Sequence, residues 1–564
     1  MYNEVIGCLN QEREVSFTPV SDSVFEGFVF IHDEQIKLCI DLGKGFPETF
    51  PEISIPDDSH FRAHVPKGRN ICLFDQESIM IKPDMAEQVL IDAFDRAVTV
   101  LEMDAQTQKE EVLREFISYW GADAKQSVRL YMNLPEAMEH EYKEYTAIGQ
   151  STYCLLVSNS TEESRELLVN NVGCDPNRVD DHKMPCIRIR LRATTLPPMT
   201  EDITWKSIRR FILDNITAGQ KRYFKKMLSV KAKVINRLLL LAIPSSYGDQ
   251  YACIWLHHDN SRGECLKNIT NCYVEPVTSF RIDAKYLLTR GGAETGLQDK
   301  RVLLIGCGSV GGFLAESLCQ CGIGTLDILD KDRLSIDNVH RHVLGFNDAT
   351  TGGFKADLLK KRLDERFPYV EIDSLSFEDR TAEALLKDIE RMSDYDLIVS
   401  ATGNPTVDLA INDAICNGLD YPAFVACFNE PYGIGGHAIG ILKEGGCLRC
   451  LYSDPISGEL SSFQGSFVEA GQSFSKSLSG CAGTYVEYSV LDSQQTATMA
   501  SRLIIDILNG KCMQSKIVSW IGSPEKLRNA GFITSEYYNN LEQDGATMIN
   551  RSFSRMERCR TCGK

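Results

Sequence analysis

A glycine turn set between an apolar strand and a helix limits this chain more than any other feature. Arg301 to Ile305 is short and apolar enough for a buried strand. Gly306-Cys-Gly-Ser-Val-Gly311 follows it, and Gly311 to Cys321 has helical spacing. Glycines there let the backbone approach a phosphate, and a helix N-terminus stabilises the charge. The next apolar run, Thr325 to Leu329, ends on Asp330, placed to bind a ribose hydroxyl. A helix over Lys355 to Arg366 and a strand over Leu397 to Ser400 continue the alternation, which predicts a mostly parallel sheet with crossover helices. A nucleotide site is expected, but the motif alone does not choose between NAD, FAD and ATP.

The residues that follow do choose. The chain runs Asp330-Lys-Asp332, then Asn338-Val-His-Arg341-His342, then Gly353-Phe-Lys355. A nicotinamide oxidoreductase needs no such cations beside the pyrophosphate. An enzyme that cleaves ATP at the α-phosphate does, because charge develops on the phosphoryl oxygens. Over about 285–564 the sequence resembles the adenylation domain of ubiquitin-activating enzymes and the ThiF and MoeB enzymes of thiamine and molybdopterin synthesis. The resemblance implies that Gly306, Gly308 and Gly311 contact the phosphates and Asp330 the ribose. It further implies that Asn338, Arg341 and Lys355 hold and polarise the triphosphate, with Asp332 near it or near Mg²⁺. One departure stands out: where the family has an aspartate for Mg²⁺, this chain reads Ser400-Ala-Thr-Gly403-Asn404. Asp332 and Asp408 are the alternative carboxylates.

Cys447-Leu-Arg-Cys450 and Cys559-Arg-Thr-Cys562 are two CxxC pairs, enough thiolates for a tetrahedral Zn²⁺ site. Disulfides or a redox pair are the competing reading. The resemblance implies structural zinc. Cys481 lies in Ser479-Gly-Cys-Ala-Gly483, after a serine-rich stretch from Leu451 that reads as too polar to pack, and ahead of a helix over about Val490 to Leu508. A thiol near a helix N-terminus can be activated as a thiolate. On residue pattern an inert buried cysteine is the better reading, whereas the resemblance implies that Cys481 is the thioester cysteine.

The first 125 residues read as an α+β unit. Val24 to Ile40 alternates, the stretch from Gly45 to Pro51 is punctuated by proline, and Met85 to Met103 and Gln108 to Trp120 are helical. In order come Phe25-Glu-Gly, Gly45-Phe-Pro-Glu-Thr-Phe-Pro51, His64-Val-Pro66 and Gly68-Arg-Asn-Ile-Cys72-Leu73. This series resembles the ubiquitin-conjugating fold, which implies that Cys72 is a conjugating cysteine. The family's oxyanion-supporting asparagine is missing after His64, and Asn70 is the nearby substitute. A structural cysteine is the other reading. Residues 126–284 show an alternating strand from Ile187 to Arg192, a helix from Trp205 to Asn215 and a basic run from Lys221 to Lys233, without a functional signature.

The expected fold is therefore multidomain: a ubiquitin-conjugating-like α+β domain (1–125), an α/β linker domain (126–284) and a Rossmann-like α/β adenylation domain (285–564). A net charge of −18 argues against broad nucleic-acid or anionic-membrane binding. No stretch approaches the ~20 apolar residues of a membrane span. Met1 to Arg13 lacks a signal-peptide pattern, and most of the 20 cysteines sit singly in apolar runs, which fits a reducing cytoplasm. In domain order the chain resembles the activating–conjugating fusion proteins of CBASS anti-phage operons. That implies an ATP-dependent, homodimeric ligase joining a protein C-terminus, that of a cyclic-nucleotide synthase (CD-NTase), to an amine of unknown identity. An activating enzyme for a ubiquitin-like or sulfur-carrier protein, with a non-catalytic N-terminal domain, is the alternative.

Overall fold

The computed structural model describes residues 2–56, 62–65, 70–74, 79–121, 124–131, 142–151, 153–198, 203–231, 233–245, 249–375, 386, 392–416, 422–477 and 484–563. The chain divides into two compact units, essentially residues 1–281 and 282–564.

The first unit opens with α1 (Tyr2–Glu12) and a four-stranded antiparallel sheet of β1 (Thr18–Pro19), β2 (Val24–Ile31), β3 (Glu34–Asp41) and β4 (Glu52–Ser54), in that order. Alternation decides its faces. Phe25, Val29 and Ile31 point into a core with Leu38, Ile40 and Ile53, while Phe28 and Phe30 point outward. His32 and Asp33, both at positive φ, make the two-residue turn between β2 and β3. Helix α2 (Ala86–Leu101) covers the sheet with Leu90, Phe94 and Ala97. Helices α3 (Ala105–Arg114), whose N-cap Asp104 accepts from Gln106 and Thr107, and α4 (Phe116–Gly121) follow; the helix expected over 108–120 is broken at Glu115.

The rest of this unit is a closed barrel. Its strands are β5 (Gln126–Leu130), β6 (Tyr142–Gly149), β7 (Leu155–Val157), β8 (His182–Arg190), β9 (Val234–Ile243), β10 (Gln250–Asp259) and β11 (Tyr273–Arg281), in the cyclic order β10-β11-β5-β7-β6-β8-β9. One set of side chains, including Val128, Leu155, Cys186, Leu238, Leu240 and Cys253, packs together. The alternate set, including Ile187, Leu239, Leu241 and Ile254, packs with Trp205 and Ile212 of α6 (Trp205–Asn215) and Phe224 of α7 (Ala218–Leu228), after the short α5 (Thr161–Glu166). With both faces buried, the second half of β9, Leu238 to Ile243, reads as an unbroken apolar run.

The second unit begins with α8 (Ala284–Arg290) and is built on an eight-stranded mixed sheet. Its strands are β12 (Arg301–Ile305), β13 (Thr325–Leu329), β14 (Glu371–Ser374), β15 (Leu397–Ser400), β16 (Ala423–Asn429), β17 (Gly435–Ile441), β20 (Lys516–Ile521) and β21 (Met548–Ser552); β18 (Ser475–Ser477) and β19 (Thr484–Val486) form a separate hairpin. In the order β14-β13-β12-β15-β16-β17-β20-β21 the first five are parallel and the rest antiparallel. One face carries α9 (Ser309–Gln320), the short α10 (Phe346–Thr350) and α11 (Lys355–Arg366); α12 (Pro405–Cys416) lies on the other. Helix α13 (Val490–Leu508) packs beside α9, and α14 (Glu525–Asn529) and α15 (Glu536–Gln543) follow β20. The order reverses between β13 and β15 around β12, so the ends of β12 and β15 frame a topological switch point.

The serine-rich stretch departs from expectation. Phe463 and Phe467 anchor it against His437, Phe467 being fully buried, and Ser475–Ser477 pairs with Thr484–Val486. Its few aromatic residues hold what its serines would leave loose. No helix among the described residues is long and apolar enough to cross a membrane.

Candidate functional site

Packing explains two of the three glycines of the turn. Gly306 has φ +93°, and a Cβ there would lie 2.9 Å from the Ala401 carbonyl. A Cβ on Gly311 would collide with the carbonyl of Gly306, because α9 leaves the turn at close approach. Gly308 differs: a Cβ there would meet nothing within 4 Å. Its open side faces a cavity of about 340 Å³ at the switch point, lined among others by Ser309, Asn338, Arg341, Lys355, Thr402 and Tyr488. The structure thus brings the expected cations and the glycine turn into one cavity.

Asp330 closes the turn. Its two oxygens accept from the backbone N–H of Cys307 (2.7 Å) and of Asp332 (2.8 Å), and burial raises its pKa. Lys355, first residue of α11, donates to Asp332 at 3.0 Å, and its own N–H donates to the Asp332 carbonyl at 2.9 Å. Asp332 therefore steers the ammonium. Arg341 donates to the carbonyl of Val486 at 3.0 Å and lies 5.1 Å from the centre of the Tyr488 ring. His342 is buried beneath the turn. Its Nδ1 accepts from the Leu344 N–H at 3.1 Å, which leaves Nε2 to donate to the Cys307 carbonyl at 2.6 Å, and burial lowers its pKa to about 4. The bond to Cys307 ties the turn to the segment that carries Arg341. Nothing in residue pattern marks His342 for that part; only its adjacency to Arg341 does.

The two alternative carboxylates stand apart. Asp332 is exposed and already paired with Lys355. Asp408 is buried, accepts from Ser400 (2.5 Å) and Thr402 (3.1 Å), and burial lifts its pKa to about 6. It buttresses the end of β15, and neither it nor Asp332 is among the residues lining the cavity.

Cys447, Cys450, Cys559 and Cys562 converge, each offering sulfur within 4.8 Å of the others. The closest pairs are Cys450–Cys562 at 3.3 Å and Cys447–Cys559 at 3.6 Å. Tetrahedral ligation at the usual Zn–S length places sulfurs about 3.8 Å apart, so the donor set fits zinc. Arg449 and Thr561 both bind Asp413, which joins the two knuckles to α12.

In the first unit Cys72 is exposed, and its N–H donates to the His64 carbonyl at 2.7 Å. Asn70 donates to Glu52 at 2.7 Å. The His64 ring lies between two carboxylates, Nε2 at 3.3 Å from Glu111 and Nδ1 at 3.5 Å from Glu115. Tyr119 accepts from the His64 N–H at 2.7 Å and donates to Glu115. This cluster was not apparent in the sequence, since its members come from a loop and two helices. Cys481, with Ser479, Gly480 and Gly483, and Pro66 and Gly68 of the Cys72 segment lie outside the described residues.

Residues 287–512 match the ThiF family. The chain is 29% identical over 246 residues to the ATP-dependent ubiquitin transferase-like protein Cap2 of Pseudomonas aeruginosa, covering 42% of this chain and 41% of that protein. To Cap2 of Escherichia coli it is 27% identical over 472 residues, 77% of this chain and 76% of the relative. The sulfur carrier protein ThiS adenylyltransferase of E. coli is 31% identical over 160 residues, 28% of this chain and 60% of that protein. The chain thus spans under two thirds of the length of two of these three relatives. The switch-point cavity, the glycine turn and these matches together identify residues 287–512 as a ThiF-family adenylation domain, at the C-terminal end of a multidomain chain that is similar to the Cap2 proteins.

Proposed function

We propose that the chain activates the C-terminal carboxylate of a protein with ATP and passes it, by way of two cysteines, to an amine. The observation that carries this reading is the convergence of Asn338, Arg341 and Lys355 on the cavity into which Gly308 opens. A helix N-terminus and two cations in one small cavity suit a triphosphate and the charge that develops as its α-phosphate is attacked. The carboxylate oxygen bonds to the α-phosphorus and pyrophosphate leaves. The Cys481 thiolate then takes the acyl carbon as AMP leaves, Cys72 accepts it by transthiolation, and an amine nitrogen displaces the Cys72 thiolate.

Within this reading the chain has three parts, a conjugating-like domain (1–125), a linker domain (126–284) and the adenylation domain (285–564), and works as a cytoplasmic homodimer. Gly306, Gly308 and Gly311 admit the phosphates, and Asp330 retains lone pairs for ribose hydroxyls. Mg²⁺, when bound, neutralises phosphate charge, with Asp332 the acidic side chain nearest Lys355. Zn²⁺ at the four cysteines serves the fold. The resemblance in domain order to the CBASS fusion proteins favours a CD-NTase as the activated protein in anti-phage defence, and similarity to the ATP-dependent ubiquitin transferase-like protein Cap2 supports ATP-dependent transfer. Similarity to the ThiS adenylyltransferase supports the second reading, activation of a ubiquitin-like or sulfur carrier with a non-catalytic N-terminal domain.

The test is intact mass under thiol-free conditions after co-expression with the neighbouring genes, for the wild type, Cys72→Ala and Cys481→Ala. A protein-sized, thiol-labile adduct that requires Cys481 and accumulates in Cys72→Ala is expected. Normal conjugates from Cys72→Ala would sink the relay and leave the carrier reading.

A further inference from the structure

A second place where sulfurs meet lies at one rim of the barrel. Cys154 ends the connection from β6 to β7, and Cys174 lies on the connection from α5 to β8. Their Sγ atoms are 3.8 Å apart, although the residues stand 20 positions apart in the chain. Neither is fully buried. The backbone is fastened on both sides of the pair. The Cys154 N–H donates to the Ser151 carbonyl (3.0 Å), and the Cys174 N–H donates to that of Leu168 (2.8 Å). The Asp175 N–H reaches across to the Gln150 side chain at 3.1 Å. Arg129 of β5 donates to the Cys154 sulfur at 3.5 Å. Burial and the adjoining Cys154 sulfur raise the pKa of Cys174, so Cys174 is the member that keeps its proton.

We infer that Cys154 and Cys174 form an oxidation site, at which a peroxide closes a disulfide across the narrowest seam of the barrel. Two residue pairs join β6 to β7, against three between β5 and β7 and eight between β6 and β8. Gly149, the last residue of β6, faces Leu155 of β7 and His182 of β8. The bond runs from the residue that precedes β7 to the connection that leads into β8, and so bridges both neighbours of β6. The steps balance with hydrogen peroxide alone. Cys154 gives up its proton and its sulfur attacks one peroxide oxygen; the O–O bond breaks, and the departing hydroxide leaves with that proton as water. The Arg129 guanidinium offsets the negative charge of the attacking sulfur. The Cys174 sulfur then displaces the hydroxyl of the Cys154 sulfenic acid, and its proton leaves with that hydroxyl as a second water. The two sulfurs are oxidised and the peroxide is reduced. With β7 and α5 inside a covalent ring, the seam that has the fewest strand pairs gains a bond that backbone opening cannot break. The site is independent of the nucleotide and relay readings.

The test is peptide mapping of the full chain, without reductant, after stepwise addition of hydrogen peroxide, beside hydrogen–deuterium exchange over residues 155–157. Peptides that hold Cys154 and Cys174 should become linked and separate again with dithiothreitol. Exchange over β7 should slow several-fold in the linked form. Cys174→Ser should stop at a Cys154 sulfenic acid, which dimedone captures, and Arg129→Gln should slow linkage several-fold. The wild-type map decides the linkage even where a variant fails to fold. Oxidation of the exposed Cys72 while Cys154 and Cys174 stay open to alkylation overturns the inference. Linkage with unchanged exchange over 155–157 overturns the fastening of the seam.

Discussion

His342 and Asp408 are both buried, and burial moves their proton affinities in opposite senses. The unfolded chain protonates His342 below pH 6.5, whereas the folded chain resists until about pH 4. Stability therefore falls as pH is lowered across that window, by up to about 3 kcal/mol. His342→Asn should flatten this part of the pH curve in urea unfolding. Asp408 has the other sign. Its folded pKa of about 6 lies above the ordinary 3.8, so stability is lost as pH rises between the two. Asp408→Asn, which can still accept from Ser400 and Thr402, should gain up to about 3 kcal/mol at pH 8 and nothing at pH 3. Melting curves at the two pH values measure the difference.

The turn between β12 and α9 separates folding from binding within six residues. Gly311→Ala places a methyl against the Gly306 carbonyl and should cost on the order of 1–3 kcal/mol in thermal unfolding. Gly308→Ala enters open space, so the melting temperature should hold while nucleotide affinity falls at least tenfold; calorimetry reads the second and the melt the first. The four-cysteine centre makes an element of what would otherwise be two loops. Elemental analysis should find one zinc per chain, and Cys559→Ser should lose the zinc and several kcal/mol of stability. Much of this was legible from residues alone, because local rules govern it: α6 and α13 begin and end where their capping residues and periodicity put them. The barrel was not legible. Strands buried on both faces lose the alternation that would announce them, and β5 finds β11 only after some 150 residues of intervening chain. His64 was legible only as part of the His64-Val-Pro66 segment, since the glutamates that flank it come from α3 and the residue after it. The serine-rich stretch misled by composition, because two phenylalanines outweigh many serines once they find a core.

At the scale of the whole chain, the two units differ in what their sheets need from sequence order. The second grows from neighbouring strand–helix pairs, with the antiparallel strands β17, β20 and β21 added at one side. The first unit ends in a ring, and a ring is complete only when its last member exists. Strand β5 pairs in parallel with β11, from Gln126 opposite Val277 to Leu130 opposite Arg281. As the chain leaves the ribosome, β5 emerges early and waits through five further strands for that partner. During the interval it presents one unsatisfied row of peptide groups, as β10 does once it has formed, and such edges invite pairing with other chains. The covering helices α6 and α7 are made before β9, so apolar surface is sheltered before the ring can shut. Closure falls at Arg281, where the first compact unit ends and the second begins. The glycine turn and its cations are therefore synthesised only after the barrel has every strand it needs, and translation itself sets the order of assembly.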